Sequence, residues 1–185
     1  MIFLSKVPDF IRRGRMILQG EEAATQLLQE MATNYQIFKN GLEGLRTQIE
    51  GAKQAINEGT LIPMVLAHLE RILGLSLAIG IILNCVLGAI DIDNIELRLE
   101  CEFFSQEILM LSEGAKMYRP IGASYMQLCL SSAWIGTTDP ETKLKIEDVY
   151  SEFRQDYIWA NEVLPRVELE EVSQHIRLLK ETTYH

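Results

Sequence analysis

Cysteine and histidine are scarce in this 185-residue chain, with three of each. Cys85, Cys101 and Cys129 are odd in number, widely spaced and without a CxxC pair, which excludes a disulfide framework and a cysteine-ligated zinc site. His68, His175 and His185 share no ligand spacing, so no metal site and no cofactor is expected. Strand signals are equally rare: there is no long alternating run and no Asn-Gly hairpin turn. Excess basic charge is missing too. Lys and Arg total 17 against 26 Asp and Glu, a net charge of −9. Phosphate contacts need clustered cations, so direct nucleic-acid binding is not expected. The first 20 residues go the other way, with Lys6, Arg12, Arg13 and Arg15 giving a net +3. This basic segment could pair with the acidic body or with another protein. The opening residues lack a secretory apolar run, and the unpaired cysteines suit a reducing compartment. An intracellular location, cytoplasm or nucleus, is the expectation.

What the sequence does have is helical periodicity, and the expected class is all-α. Residues 5–18 form a candidate first helix. Ala24, Leu27, Leu28, Met31, Tyr35 and Phe38 then share one helical face, as do Leu42, Leu45, Ile49, Ala52 and Ile56. Gly41 and Gly44 mark an expected break between the two, and Asn57-Glu58-Gly59 an expected stop. Pro63 fits the first turn of a long helix reaching Ile90. Asp93 and Glu96 form a candidate capping box for the next helix, which the Tyr118-Arg119-Pro120-Ile121-Gly122 run ends. Asp139-Pro140-Glu141 is a strong helix start. Pro165 separates a last helix over about 166–181. The expectation is one domain over 1–185, a bundle of seven or eight helices.

Two segments carry no charge, Ile72–Ile90 and Pro120–Thr138. The first is 19 residues long, which is enough to cross a membrane. It holds Ser76 and Asn84, is followed by acids, and has no flanking basic cluster or Trp belt. The expectation is two buried apolar helices wrapped by amphipathic ones. Asp91, Asp93 and Glu96 have the oxygen ligands of a Mg²⁺ site, but a helix start collects acids for its dipole.

The polar groups inside these apolar segments are the candidate site. Ser76, Gly80, Asn84 and Gly88 recur every fourth residue, on one face. The structural reading is close helix approach; the functional one is a cavity wall with Asn84 presenting its amide to a ligand. Ser124 and Gln127 lie on one face of the second segment, with Trp134 elsewhere on it. Tyr118 and Arg119 stand at the helix break, where the arginine would hold a carboxylate or satisfy helix C-terminal carbonyls.

The runs Cys101-Glu-Phe-Phe-Ser-Gln-Glu-Ile-Leu, Tyr118-Arg-Pro-Ile-Gly-Ala-Ser-Tyr-Met and Ala133-Trp134 with Thr138-Asp139-Pro140 resemble the regulatory region of fungal zinc-cluster transcription factors. The resemblance spans a core of about 62–160. It implies an all-helical intracellular domain for regulation or ligand response. The six-cysteine zinc cluster of that family is absent, so DNA binding is not implied. Two functions follow as expectations. One is a regulatory domain that binds a small apolar molecule or a protein partner through Ser76, Asn84, Tyr118, Arg119, Ser124, Gln127 and Trp134. The other is a metal-free isomerase or cyclase of secondary metabolism, with Tyr118, Arg119 and Asn84 as its polar groups. Apolar stripes on the outer helices would also allow a homodimer.

Overall fold

The computed structural model describes residues 24–90 and 94–156, with Asp9, Arg12, Arg13 and Met16 before them. Five helices account for most of this: α1 (Ala24–Asn57), α2 (Pro63–Ile90), α3 (Ile95–Ala115), α4 (Met126–Gly136) and α5 (Pro140–Arg154). No strand occurs among the described residues. The expected seven or eight helices are thus corrected to five among the described residues. The last expected helix lies outside them, as does most of the first.

One miscount has a clear cause. Gly41 and Gly44 do not divide α1, which runs unbroken for 34 residues. Its buried positions Met31, Tyr35, Phe38, Leu42, Ile49 and Ala52 stay in one helical phase across the glycines. Gly41 and Gly44 face outward, where an added Cβ would meet nothing within 4 Å. Each costs the helix about 1 kcal/mol against alanine, which the continuous apolar seam offsets. The true end is at Gly59, whose φ of +73° places it in the left-handed region that glycine adopts freely. There the amides of Glu58, Gly59 and Thr60 take the last carbonyls, Thr60 bonding to Ala55 O at 2.8 Å.

Other boundaries follow their sequence signals. Pro63 opens α2. Asp139 caps α5 by accepting from Thr142 N at 2.8 Å, with Pro140 at the first position. The cap of α3 is Asn94 rather than Asp93: its side chain accepts from Leu97 N at 3.3 Å. Asp91 and Asp93 lie outside the described residues.

Helix α2 is the hub. It packs on α1, α3 and α4, while α5 packs mainly on α4. Leu77, Ile81, Ile108, Leu130, Ala133 and Ile146 are fully buried where these helices meet. Gly80 faces the Phe104 ring and Asn84 faces Glu100, so α2 and α3 run antiparallel. Small residues set the approach. A Cβ at Gly80 would lie 2.8 Å from Phe104, and one at Gly136 2.6 Å from Ile81. Residues 63–88 are long and apolar enough to cross a membrane, yet 56% of the most apolar window is buried inside the protein.

Candidate functional site

The crossing of α2 and α3 holds a half-buried polar cluster at the edge of the apolar core. Glu100 is its centre. Tyr35 of α1 donates its hydroxyl to Glu100 Oε2 at 2.5 Å, and Asn84 Nδ2 donates to the same oxygen at 3.1 Å. Lys39 Nζ pairs with Glu100 Oε1 at 2.6 Å. Burial pushes the Glu100 carboxyl up, but bonds from Lys39, Tyr35 and Asn84 outweigh it and hold the group below its ordinary value. Burial first, then the bond to Glu100, drives the Tyr35 phenol far above the usual tyrosine range. The cluster therefore fixes an ionised carboxylate against a neutral phenol, tying three helices together.

One atom of the cluster is unsatisfied. Asn84 is 2% exposed, and its Oδ1 has no hydrogen-bond partner among the described residues. A buried acceptor without a donor costs about 1–3 kcal/mol, and native structures hold few such groups. Asn84 also lines a cavity of about 420 Å³. The cavity opens between the C-terminal part of α2, the first turns of α3 and the end of α4. Its wall is mainly apolar, with Leu97, Ile135 and Gly136, and carries Cys85, Cys101 and Thr138. Gly88 belongs to the same wall, and a Cβ there would meet nothing within 4 Å. The four-residue stripe thus divides in two: Gly80 is closed by Phe104, while Asn84 and Gly88 line the cavity.

Arg98 stands on the rim, exposed and paired with no acid among the described residues. Thr138 is fixed by Glu102, whose Oε1 accepts from Thr138 N at 2.5 Å and Thr138 Oγ1 at 2.9 Å. Ser105 braces the floor, its hydroxyl 2.8 Å from Cys101 O and 3.0 Å from Ala133 O. A second hollow, of about 440 Å³, lies against Ile49, Leu73 and Leu111. Its charges are largely spent on each other, Arg46 with Glu107 and Lys53 with Glu50.

Of the polar side chains nominated from sequence, Asn84 alone lines the 420 Å³ cavity. Tyr118 and Arg119 follow the opposite end of α3, about 20 Å along the axis from Glu100 at 1.5 Å per residue. The Arg119 guanidinium is already occupied. Nε and Nη2 grip the Asp156 carboxylate at 2.5 and 2.8 Å, Nη1 bonds Glu152 Oε1 at 2.8 Å, and Nη2 also bonds Glu152 O at 2.6 Å. It does satisfy a helix C-terminal carbonyl, but on α5 rather than on its own helix. Gln127 Nε2 reaches Phe153 O at 3.4 Å, and Trp134 Nε1 donates to Glu147 at 2.9 Å. These three nominated residues seat α5 on the bundle. Ser124 is exposed in the turn before α4, and Ser76 is half-buried on α2. Among the described residues, no group of three or more His, Cys, Asp and Glu is placed to hold a metal ion.

Sequence reasoning missed Cys85, Cys101, Arg98, Thr138 and Tyr35. Its spacing places Tyr35 on a plain core stripe, and nothing local shows that its hydroxyl meets a carboxylate 65 residues away. The chain matches no family model, no curated protein and no solved structure.

Proposed function

We propose that this is a ligand-responsive helical domain that takes a small, mainly apolar molecule carrying one hydrogen-bond donor into the 420 Å³ cavity. The observation that carries the reading is the unpartnered Asn84 Oδ1 in a wall that is otherwise largely apolar. A cavity of a few hundred Å³ with few polar groups is the usual form of a small-molecule site. A ligand hydroxyl or amide N–H reaching Asn84 would satisfy the orphaned acceptor, while the ligand body covers Leu97, Ile135 and Gly88. Regulation, the role implied by the resemblance of the Tyr118–Met126 and Ala133–Trp134 segments, is the setting proposed for that binding. Because α2 contacts α1, α3 and α4, occupancy at its end would stiffen the bundle as a whole.

Titration with a matched pair, a cyclic alcohol and its hydrocarbon analogue, tests the reading. The alcohol is expected to bind the wild type about tenfold more tightly, in line with one added hydrogen bond of about 1.4 kcal/mol. Asn84→Leu should erase that preference. Equal affinities of the alcohol for the two proteins would overturn it.

A further inference from the structure

Two of the three cysteines, 16 positions apart in sequence, meet at the cavity. Asn84-Cys85 on α2 lies across from Glu100-Cys101 on α3, an arrangement set by the Asn84–Glu100 bond. Cys101 Sγ sits 3.9 Å from the carbonyl of Ile81. In an α-helix that carbonyl also accepts the amide of residue i+4, here Cys85. The Cys101 sulfur is therefore pressed against the turn of α2 that carries Cys85. Both line the 420 Å³ cavity. Cys85 is half-buried and the more accessible; Cys101 is 5% exposed. Cys129 has no part in this: it is fully buried and packs against Gly74.

We propose that Cys85 and Cys101 form a redox-active dithiol that a small hydroperoxide entering the cavity converts to an α2–α3 disulfide. Cys85, on the accessible wall, attacks the peroxide oxygen. The O–O bond breaks, the sulfur becomes a sulfenic acid, and one water (or alcohol, from an organic peroxide) leaves. The Cys101 thiol then attacks the Cys85 sulfur, the S–O bond breaks and a second water leaves. Overall the two thiols lose two hydrogens and one hydroperoxide is reduced. The bond forms between side chains on facing turns of α2 and α3 that line one cavity, so the helices need not separate. The inference is independent of the ligand reading, because its readout is covalent and needs no bound molecule.

The test treats the folded protein with hydrogen peroxide, removes the peroxide, blocks remaining thiols in denaturant and maps the peptides by mass spectrometry. The expected product is a Cys85–Cys101 linked peptide in most molecules, with Cys129 fully alkylated and the linkage reversed by dithiothreitol. In Cys101→Ser the sulfenic acid at Cys85 has no partner and should be trapped by dimedone. In Cys85→Ser, Cys101 should stay reduced over the same period. Circular dichroism on each variant establishes that it is folded. A wild type whose Cys85 is oxidised only to sulfinic acid, or left reduced while peroxide is in excess, would overturn the proposal. So would linkage involving Cys129.

Discussion

Tyr35 and Glu100 meet at 2.5 Å from helices that are far apart in sequence, and each shifts the other's ionisation. Glu100 titrates below its ordinary value of 4.5, so its contribution to stability is complete above that pH. It is lost as pH falls through the lower folded value. Tyr35 titrates above its ordinary value of 10.0. Its contribution is complete below pH 10 and is lost as pH rises beyond it. Thermal unfolding across pH should therefore show losses on both flanks. Tyr35→Phe should reduce the alkaline loss, the rest of which comes from Cys101, Cys129 and Tyr125, whose folded values are also raised. It should also lower stability at pH 7 by about 1 kcal/mol, because it takes one donor from a half-buried carboxylate that keeps Asn84 and Lys39. An alkaline flank unchanged in the variant would show that another group governs it.

Three glycines should respond to alanine in opposite senses. At Gly136 and Gly80 the new methyl lies under 3 Å from Ile81 and Phe104. Overpacking of this kind costs about 1–3 kcal/mol. At Gly88 the methyl meets nothing, so Gly88→Ala should stabilise the helix by about 0.5–1 kcal/mol. It should also narrow the cavity and weaken the alcohol measured above. Urea unfolding of the three variants checks the order. A Gly88→Ala protein less stable than wild type would mean the wall is already filled.

Arg119→Ala should loosen α5 without disturbing the cavity. Its guanidinium holds Asp156, Glu152 and the Glu152 carbonyl. The bond to Arg119 holds the Asp156 carboxyl below its ordinary value. The expected result is a lower melting temperature and faster amide exchange in residues 146–154, with alcohol affinity unchanged. The ion pairs are partly exposed, so the gap from wild type should narrow in high salt. Arg119→Lys should recover only part of it, since a lysine cannot grip a carboxylate with two nitrogens. Loss of alcohol binding in Arg119→Ala would show that α5 and the cavity are coupled.

Much of the bundle is legible from local signals. Pro63, Gly59 and the Asp139-Pro140 start work through backbone geometry within a few residues, and all three mark real boundaries. The two uncharged segments were expected to be core, and α2 and α4 supply many of its most deeply buried residues. The α1 break failed because a glycine penalty near 1 kcal/mol is local, while the seam opposing it is tertiary.

The candidate site divides along the same line. Periodicity alone put Ser76, Gly80, Asn84 and Gly88 on one face, and the four-residue spacing is enough for that. It could not say which member would be covered. That was decided by where Phe104 falls when α3 packs back on α2, leaving Asn84 and Gly88 in the cavity wall. Arg119, Gln127 and Trp134 look like site residues because they are polar groups beside apolar runs, and only the docking of α5 gives them partners. The cysteines show the limit most plainly. Three of them scattered through 185 residues exclude a zinc cluster by count. Yet only the antiparallel crossing of α2 and α3 brings Cys85 and Cys101 to one cavity wall. Composition and periodicity act along the chain and determined a helical, acidic protein with an apolar centre. Which side chains share a cavity depends on contacts between distant segments, and the packed structure decided it.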